Sequence, residues 1–174
     1  MKTKSLRLVA NTPEHLRTLI AGAELYEQKF GLRLAEGVRD FFVSGEASAE
    51  WLAELRLATV ADPWKHGFAL VHLTEDKVIG ASGFKGPPDA EGVVEIGYAV
   101  APGYQGRGYA TEAAQALIEY AMSTGLVRAV RAHTLPKSNP STRVLEKCGF
   151  NFLGEVIDPQ DGSVWRWEKR PSQS

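Results

Sequence analysis

A single cysteine, Cys148, leaves this 174-residue chain without an internal disulfide. Charge of one sign is equally scarce. Lys and Arg number 20 against 21 Asp and Glu, a formal net charge of -1, which argues against a general affinity for nucleic acid or an anionic membrane. No window approaches the run of about 18 apolar residues that a membrane span requires. The opening MKTKSLRLVAN lacks an apolar stretch of signal-peptide length, so the expected compartment is the cytoplasm. The four histidines, at 15, 66, 72 and 133, form no close helical pair and no third ligand accompanies His66 and His72, so no metal site is expected. Repeats, low-complexity tracts and linkers are also missing.

What the chain does have is 44% hydrophobic residues, enough for one well-cored domain over residues 1–174 with a frayed tail at 170–174. Charge is unevenly spread. Residues 24–62 carry eight acidic and four basic side chains, whereas 103–150 carry six basic and three acidic, so an anionic ligand would prefer the second region. Alternation predicts strands at 5–10, 67–73, 77–84, 93–100, 127–135 and, near the end, in FLGEVI and VWRWEK. Apolar spacing predicts a helix from Pro13 to about Phe30, two short helices within 32–62, and a short helix in NPSTRVLEKCGF.

The most informative stretch is GYQGRGYATEAAQALIEYA, residues 103–121. Ala110, Ala113, Ala114, Leu117, Ile118, Ala121 and Met122 recur at the spacing of one buried helical face. The first turn of that helix has several backbone N–H groups without intrahelical partners, and no Ser, Thr, Asp or Asn precedes it to supply a cap. Gly106 and Gly108 permit close approach by a ligand, and the helix dipole favours an anion there; a tight turn with its amides facing water fits the same residues. A dinucleotide-binding G-x-G-x-x-G is excluded because position 111 is Thr and no acid lies between Glu119 and Glu146; a G-x-x-x-x-G-K-[ST] loop is absent.

Gln105-Gly106-Arg107-Gly108-Tyr109-Ala110 fits Q/R-x-x-G-x-G/A, directly after a strand and at a helix start. Together with VEIGYAVAP before it and NPSTRVLEKCGF after it, it resembles the GNAT superfamily of acetyl-CoA-dependent N-acetyltransferases, most closely the RimJ/RimL branch. The resemblance implies an α+β fold, a mixed and largely antiparallel sheet of six or seven strands flanked by helices on both faces. It also implies that the amides from Gln105 to Ala110 hold the pyrophosphate of acetyl-CoA, with Thr111 adding a hydroxyl. Backbone groups near Ala99 and Val100 would bond the pantetheine arm and polarise the acetyl carbonyl. Asn139 would touch that arm and Ser141 would donate to the departing thiolate. Asn139 and Ser141 stand two apart where many relatives have three, and both also suit helix capping.

Read from its residues alone, VVEIGYAV puts Val94, Ile96, Tyr98 and Val100 on one face and Glu95, Gly97 and Ala99 on the other. The bare side would admit an extended ligand arm or a closely packed helix. Glu95 is the candidate base, acting through water on the incoming amine, since an α-amino group of pKa about 8 loses its proton far more readily than a lysine at about 10.4. Its ordinary alternative is a solvated strand carboxylate. Cys148 with His133 would make a nucleophilic pair, but a packed thiol suits the apolar setting better. The acceptor remains open between a protein N-terminal α-amine and a small-molecule amine, with a non-catalytic acetyl-CoA-binding regulator as a further reading. Trp51, Phe41, Phe42, Trp165 and Trp167 are candidates for its pocket, although core packing is the commoner fate for most of them, and Glu36, Asp40, Glu46 and Glu50 could draw a cation, with a solvated helix face as the ordinary alternative. Monomer and homodimer both stay open.

Overall fold

In the computed structural model, which describes residues 1–45 and 47–172, the chain builds one mixed sheet with helices against both faces. Its strands are β1 (Leu6–Ala10), β2 (Arg33–Leu34), β3 (Phe68–His72), β4 (Lys77–Phe84), β5 (Val93–Val100), β6 (Ala129–Thr134), β7 (Asn151–Asp158) and β8 (Gly162–Lys169). They lie in the order β1-β3-β4-β5-β6-β8-β7, with β2 attached to β4. Parallel pairing occurs between β5 and β6 and between β2 and β4; the other ladders are antiparallel.

The helices are α1 (Pro13–Ala21), α2 (Ala23–Phe30), α3 (Asp40–Val43), α4 (Ala49–Leu57), α5 (Pro63–His66), α6 (Tyr109–Ser123) and α7 (Pro140–Lys147). The single helix expected from Pro13 to Phe30 is two. Gly22 takes an extended conformation (φ 169°, ψ 147°), yet its N–H still closes α1 on Thr18 and its carbonyl accepts from Tyr26 N–H to begin α2. Apolar spacing runs through this break because Leu16, Leu19 and Tyr26 are buried on both sides of it. The region 32–62 holds α3, α4 and the unexpected β2, whose two residues are too few to show alternation.

Helix α6 closes the core. Ala113, Ala114, Leu117 and Ala121 are fully buried and pack with Val94, Ile96 and Val100 of β5. Burying a leucine such as Leu117 contributes about 2 kcal/mol. The small alanines let α6 lie close to the sheet, which places its first turn beside the end of β5.

Candidate active site

β5 is paired along Ile96–Val100 to β4, but its ladder with β6 covers only Val93, Val94 and Glu95. Two parallel neighbours that twist apart after three residues leave the later backbone of β5 open on one edge.

The even face of β5 enters the core, except that Tyr98 reaches across to α7. Its Oη lies 3.0 Å from Oγ of Ser141. Burial pushes the Tyr98 phenol up to about 12 despite the hydrogen bond to Ser141, so it stays protonated and able to donate. Asn139 caps α7 in a reciprocal box with Thr142, accepting Thr142 N–H at 2.9 Å on Oδ1. That leaves the Nδ2 amide of Asn139 as the group available to a ligand.

The odd face is floored by two facing pairs of small residues, Ala81 with Ala99 and Gly83 with Gly97. Above them lies a cavity of about 320 Å³ walled by Phe41, Phe42 and Trp51. Among the described residues its lining holds Lys65 and Lys85 but no carboxylate. Glu36, Asp40 and Glu50 are exposed and outside that lining, and Glu46 lies outside the described residues. Trp167 is instead a core residue, its indole N–H donating to Thr134 Oγ1 at 3.1 Å, and Trp165 packs on Phe152. A larger concavity of about 600 Å³ lies beyond α4, lined by Leu57 and Val60, away from the parted strands.

Glu95 sits at the point where β5 and β6 separate, and it is not a solvated strand carboxylate. Its side chain is 22% exposed; Oε1 lies 2.8 Å from Nδ1 of His133 and 3.0 Å from Nζ of Lys85. His133 also takes the Nε–H of Arg166 on Nε2 at 3.0 Å. No signal in the sequence pairs Glu95 with His133, because the contact depends on the register of β5 on β6. It does dispose of a Cys148–His133 pair. Cys148 is buried, donates weakly to the carbonyl of Thr111 at 3.8 Å, and has its thiol pushed up by burial.

Between Ala101 and α6 the chain makes a 3₁₀ turn, Pro102–Tyr104, and then the glycine loop. Gly106 and Gly108 have φ of 75° and 84°, the left-handed region that glycine enters without steric cost. Gly108 is the N-cap residue of α6 and no side chain caps the helix. Among the described residues no protein acceptor meets the amides of Gly106, Arg107, Gly108, Tyr109, Ala110 or Thr111. A Cβ built on either glycine would meet nothing within 4 Å. Six unpartnered donors at the positive end of a 15-residue helix, with open space at Gly106 and Gly108, suit a diphosphate. Gln105 differs from its neighbours: its amide is bonded to Pro102 O at 3.5 Å and its side chain donates to Val100 O at 3.0 Å.

The loop is tied down by two tyrosines. Tyr104 Oη donates to Glu75 and Tyr109 Oη meets Nε2 of His72 at 3.0 Å, both on the β3–β4 side. Arg107 lies 5.7 Å from the Tyr104 ring centre, leaving its guanidinium exposed beside the open amides. Among the described residues no group of three or more His, Cys, Asp or Glu is placed to hold a metal ion, and no helix is long and apolar enough to cross a membrane.

Comparison with known proteins agrees with this geometry. The model of the acetyltransferase (GNAT) domain family matches residues 6–151. The chain is 39% identical over 74 residues to the uncharacterized N-acetyltransferase YjdG of Bacillus subtilis (strain 168), covering 42% of this chain and 44% of that protein. It is 26% identical over 147 residues to the probable N-acetyltransferase YjcK of the same strain, covering 84% and 78%. The matched stretches span about half or less of the first three curated relatives, 44%, 51% and 38% of their lengths. In fold it is similar to RimL, a ribosomal L7/L12 alpha-N-protein acetyltransferase solved in complex with coenzyme A, with a TM-score of 0.65 at 16% identity over 97% of this chain and 95% of that one. The strand that parts after Glu95, the uncapped helix behind the glycine loop and the family match together assign the chain to the GNAT acetyltransferase family.

Proposed function

We propose that the protein is an acetyl-CoA-dependent N-acetyltransferase acting on a primary amine, with a protein N-terminal α-amino group as the favoured acceptor. One observation carries the reading: six amides of the glycine loop, unpartnered among the described residues, stand beside the edge of β5 that β6 leaves unpaired after Glu95. The amides of Gly106–Thr111 would hold the pyrophosphate, and the pantetheine arm would run along the parted β6 side of β5, toward which the N–H of Val100 points; Ala99 bonds toward β4 and Val100 O accepts from Gln105. When bound, acetyl-CoA supplies a thioester whose acyl carbon accepts an amine.

The chain's own groups divide the work between the two faces of β5. Glu95, on the odd face, takes the proton that the acceptor must lose before its lone pair can attack, directly or through one water. Tyr98 and Ser141, reached from the even face, donate to the sulfur as it leaves. A thiolate needs only modest help because a free thiol has a pKa of about 8.5.

The choice of acceptor rests on the cavity. Its apolar walls, with no acid among the described lining residues, offer little to a polycation, although Lys85 is paired with Glu95 and Lys65 lies 4.0 Å from Glu54. It suits an uncharged or acidic residue following a single amine. RimL, a protein of similar fold, is an α-N-acetyltransferase by name. The test is released coenzyme A thiol with a panel of free-N-terminal hexapeptides, their Nα-blocked counterparts and spermidine. Turnover of the free peptides alone is expected. Preference for spermidine would favour the small-molecule reading, and tight acetyl-CoA binding without any turnover a regulatory one.

A further inference from the structure

The four histidines divide by tautomer. Nδ1 of His15 accepts Thr12 N–H at 3.0 Å, Nδ1 of His66 accepts Asp62 N–H at 3.0 Å, and Nδ1 of His72 accepts Glu75 N–H at 3.1 Å. An accepting Nδ1 leaves the proton on Nε2 in all three. His133 is the reverse. Its Nε2 accepts from Arg166, so the ring proton lies on Nδ1 and points at Glu95. A protonated imidazole has no lone pair to offer a guanidinium N–H, so this contact requires the lone pair on Nε2.

We infer that Arg166 and His133 are positioning residues for Glu95: Arg166 locks His133 as the neutral Nδ1–H tautomer, and that N–H fixes Oε1 so that Oε2 faces the acceptor. The inference rests on Glu95 being the base. Register supplies the alignment, since His133 of β6 lies directly opposite Arg166 of β8, and β5 joins β6 at Glu95 and Arg131. Alternation puts Glu95, Arg131, His133, Arg166 and Glu168 on one face of the sheet. Arg131 is taken up by Glu168 at 2.5 Å, which leaves Arg166 to His133. Lys85 holds the same Glu95 oxygen at 3.0 Å, and Asp158 of β7 completes the charged groups around the ring. Among the described residues no hydrogen bond is made to Glu95 Oε2.

A neutral His133 matters for the proton transfer. The amine's proton passes to Oε2 while the nitrogen lone pair becomes free to form the new C–N bond. An imidazolium at His133 would add a third positive charge to those of Lys85 and Arg166 and hold the carboxylate against protonation.

Uniformly ¹⁵N-labelled protein tests the tautomer without any substrate. Long-range ¹H–¹⁵N spectra, assigned with His133→Asn, are expected to show His133 as Nδ1–H and the other three as Nε2–H at pH 7. An Nε2–H form or an imidazolium at His133 in the native protein would overturn the inference. The functional arm uses the best-used hexapeptide of the panel, or spermidine if no peptide is used. The ratio of kcat/KM for Arg166→Met to native should fall at least fivefold as pH drops from 8 to 6. That fall should vanish in the Arg166→Met/His133→Asn double variant and be partly rescued in Arg166→Lys. A ratio flat with pH, while Glu95→Gln loses about 100-fold, defeats the positioning role alone. Native turnover by Glu95→Gln would defeat the base and the positioning role together. Melting temperature and coenzyme A affinity of each variant separate these outcomes from misfolding.

Discussion

Tyr98 and Ser141 meet at 3.0 Å between oxygens, tying β5 to the first turn of α7 from opposite sides of the gap left by β6. The sequence points to Ser141 alone as donor to the departing sulfur; the proposed mechanism assigns that role to the pair. Replacing Tyr98 by Phe or Ser141 by Ala should lower kcat by about tenfold, the worth of one hydrogen bond to a charged group. Because the two act as a unit, the double variant should be little worse than either single one. A double variant whose loss is the product of the two would show that they act separately. Steady-state kinetics of the four proteins decides.

The loop anchors offer a second prediction. Tyr109 meets His72 and Tyr104 donates to Glu75, both hydroxyls being engaged on the β3–β4 side. Tyr109→Phe should therefore weaken coenzyme A binding several-fold and leave kcat within about twofold, since one lost hydrogen bond costs about 1 kcal/mol. Isothermal titration beside kinetics checks the split. A fall in kcat with unchanged affinity would contradict it.

Stability should depend on pH through His15, which is half-buried, and His66, which is buried. Burial pushes His15 and His66 down from 6.5, so the folded state binds fewer protons than the unfolded chain just below that value. Their contribution is complete above about pH 6.5 and is lost as pH falls towards their lower folded values. The melting temperature should be level from pH 7 to 8.5 and decline from 6.5 to 5. His15→Asn should flatten part of that decline. Exposed Glu14, Glu75, Asp89 and Asp158 are also held down, the first two by side-chain partners and the aspartates by backbone N–H groups, but their window lies lower, below the carboxylate values of 4.5 and 3.8.

What could be read in advance was local. The alternation of β5, the buried stripe of α6 and the missing cap all lie within residues 93–123, and each appears where spacing placed it. Contacts that depend on register were illegible. Glu95 and His133 are 38 positions apart, His133 and Arg166 33 apart, and only the order β5-β6-β8 brings them together. The cavity wall is similar: Phe41, Phe42 and Trp51 showed helical spacing, but their meeting with Gly83 and Gly97 depends on how α3 and α4 cross the sheet. The break at Gly22 left no mark because extended backbone is open to any residue.

At Gly108 the backbone needs glycine for its conformation, and the proposed phosphate site adds a need for close approach. Gly108→Ala forces a side chain into φ 84°, a strain of about 1–2 kcal/mol, although nothing in the protein would clash with the methyl. The melting temperature should drop by a few degrees, whereas coenzyme A affinity should fall more than tenfold because the methyl intrudes on the ligand's side. Equal losses of stability and affinity in free-energy terms would mean that strain alone operates.

The most direct measurement is a titration of ¹⁵N-labelled protein with coenzyme A, followed at each backbone amide. Amides from Gly106 to Thr111 are predicted to move furthest downfield, as donors that gain their first acceptor, with Gln105 moving less. If coenzyme A binds while those six resonances stay in place, the pyrophosphate is held elsewhere and the account of this site is wrong.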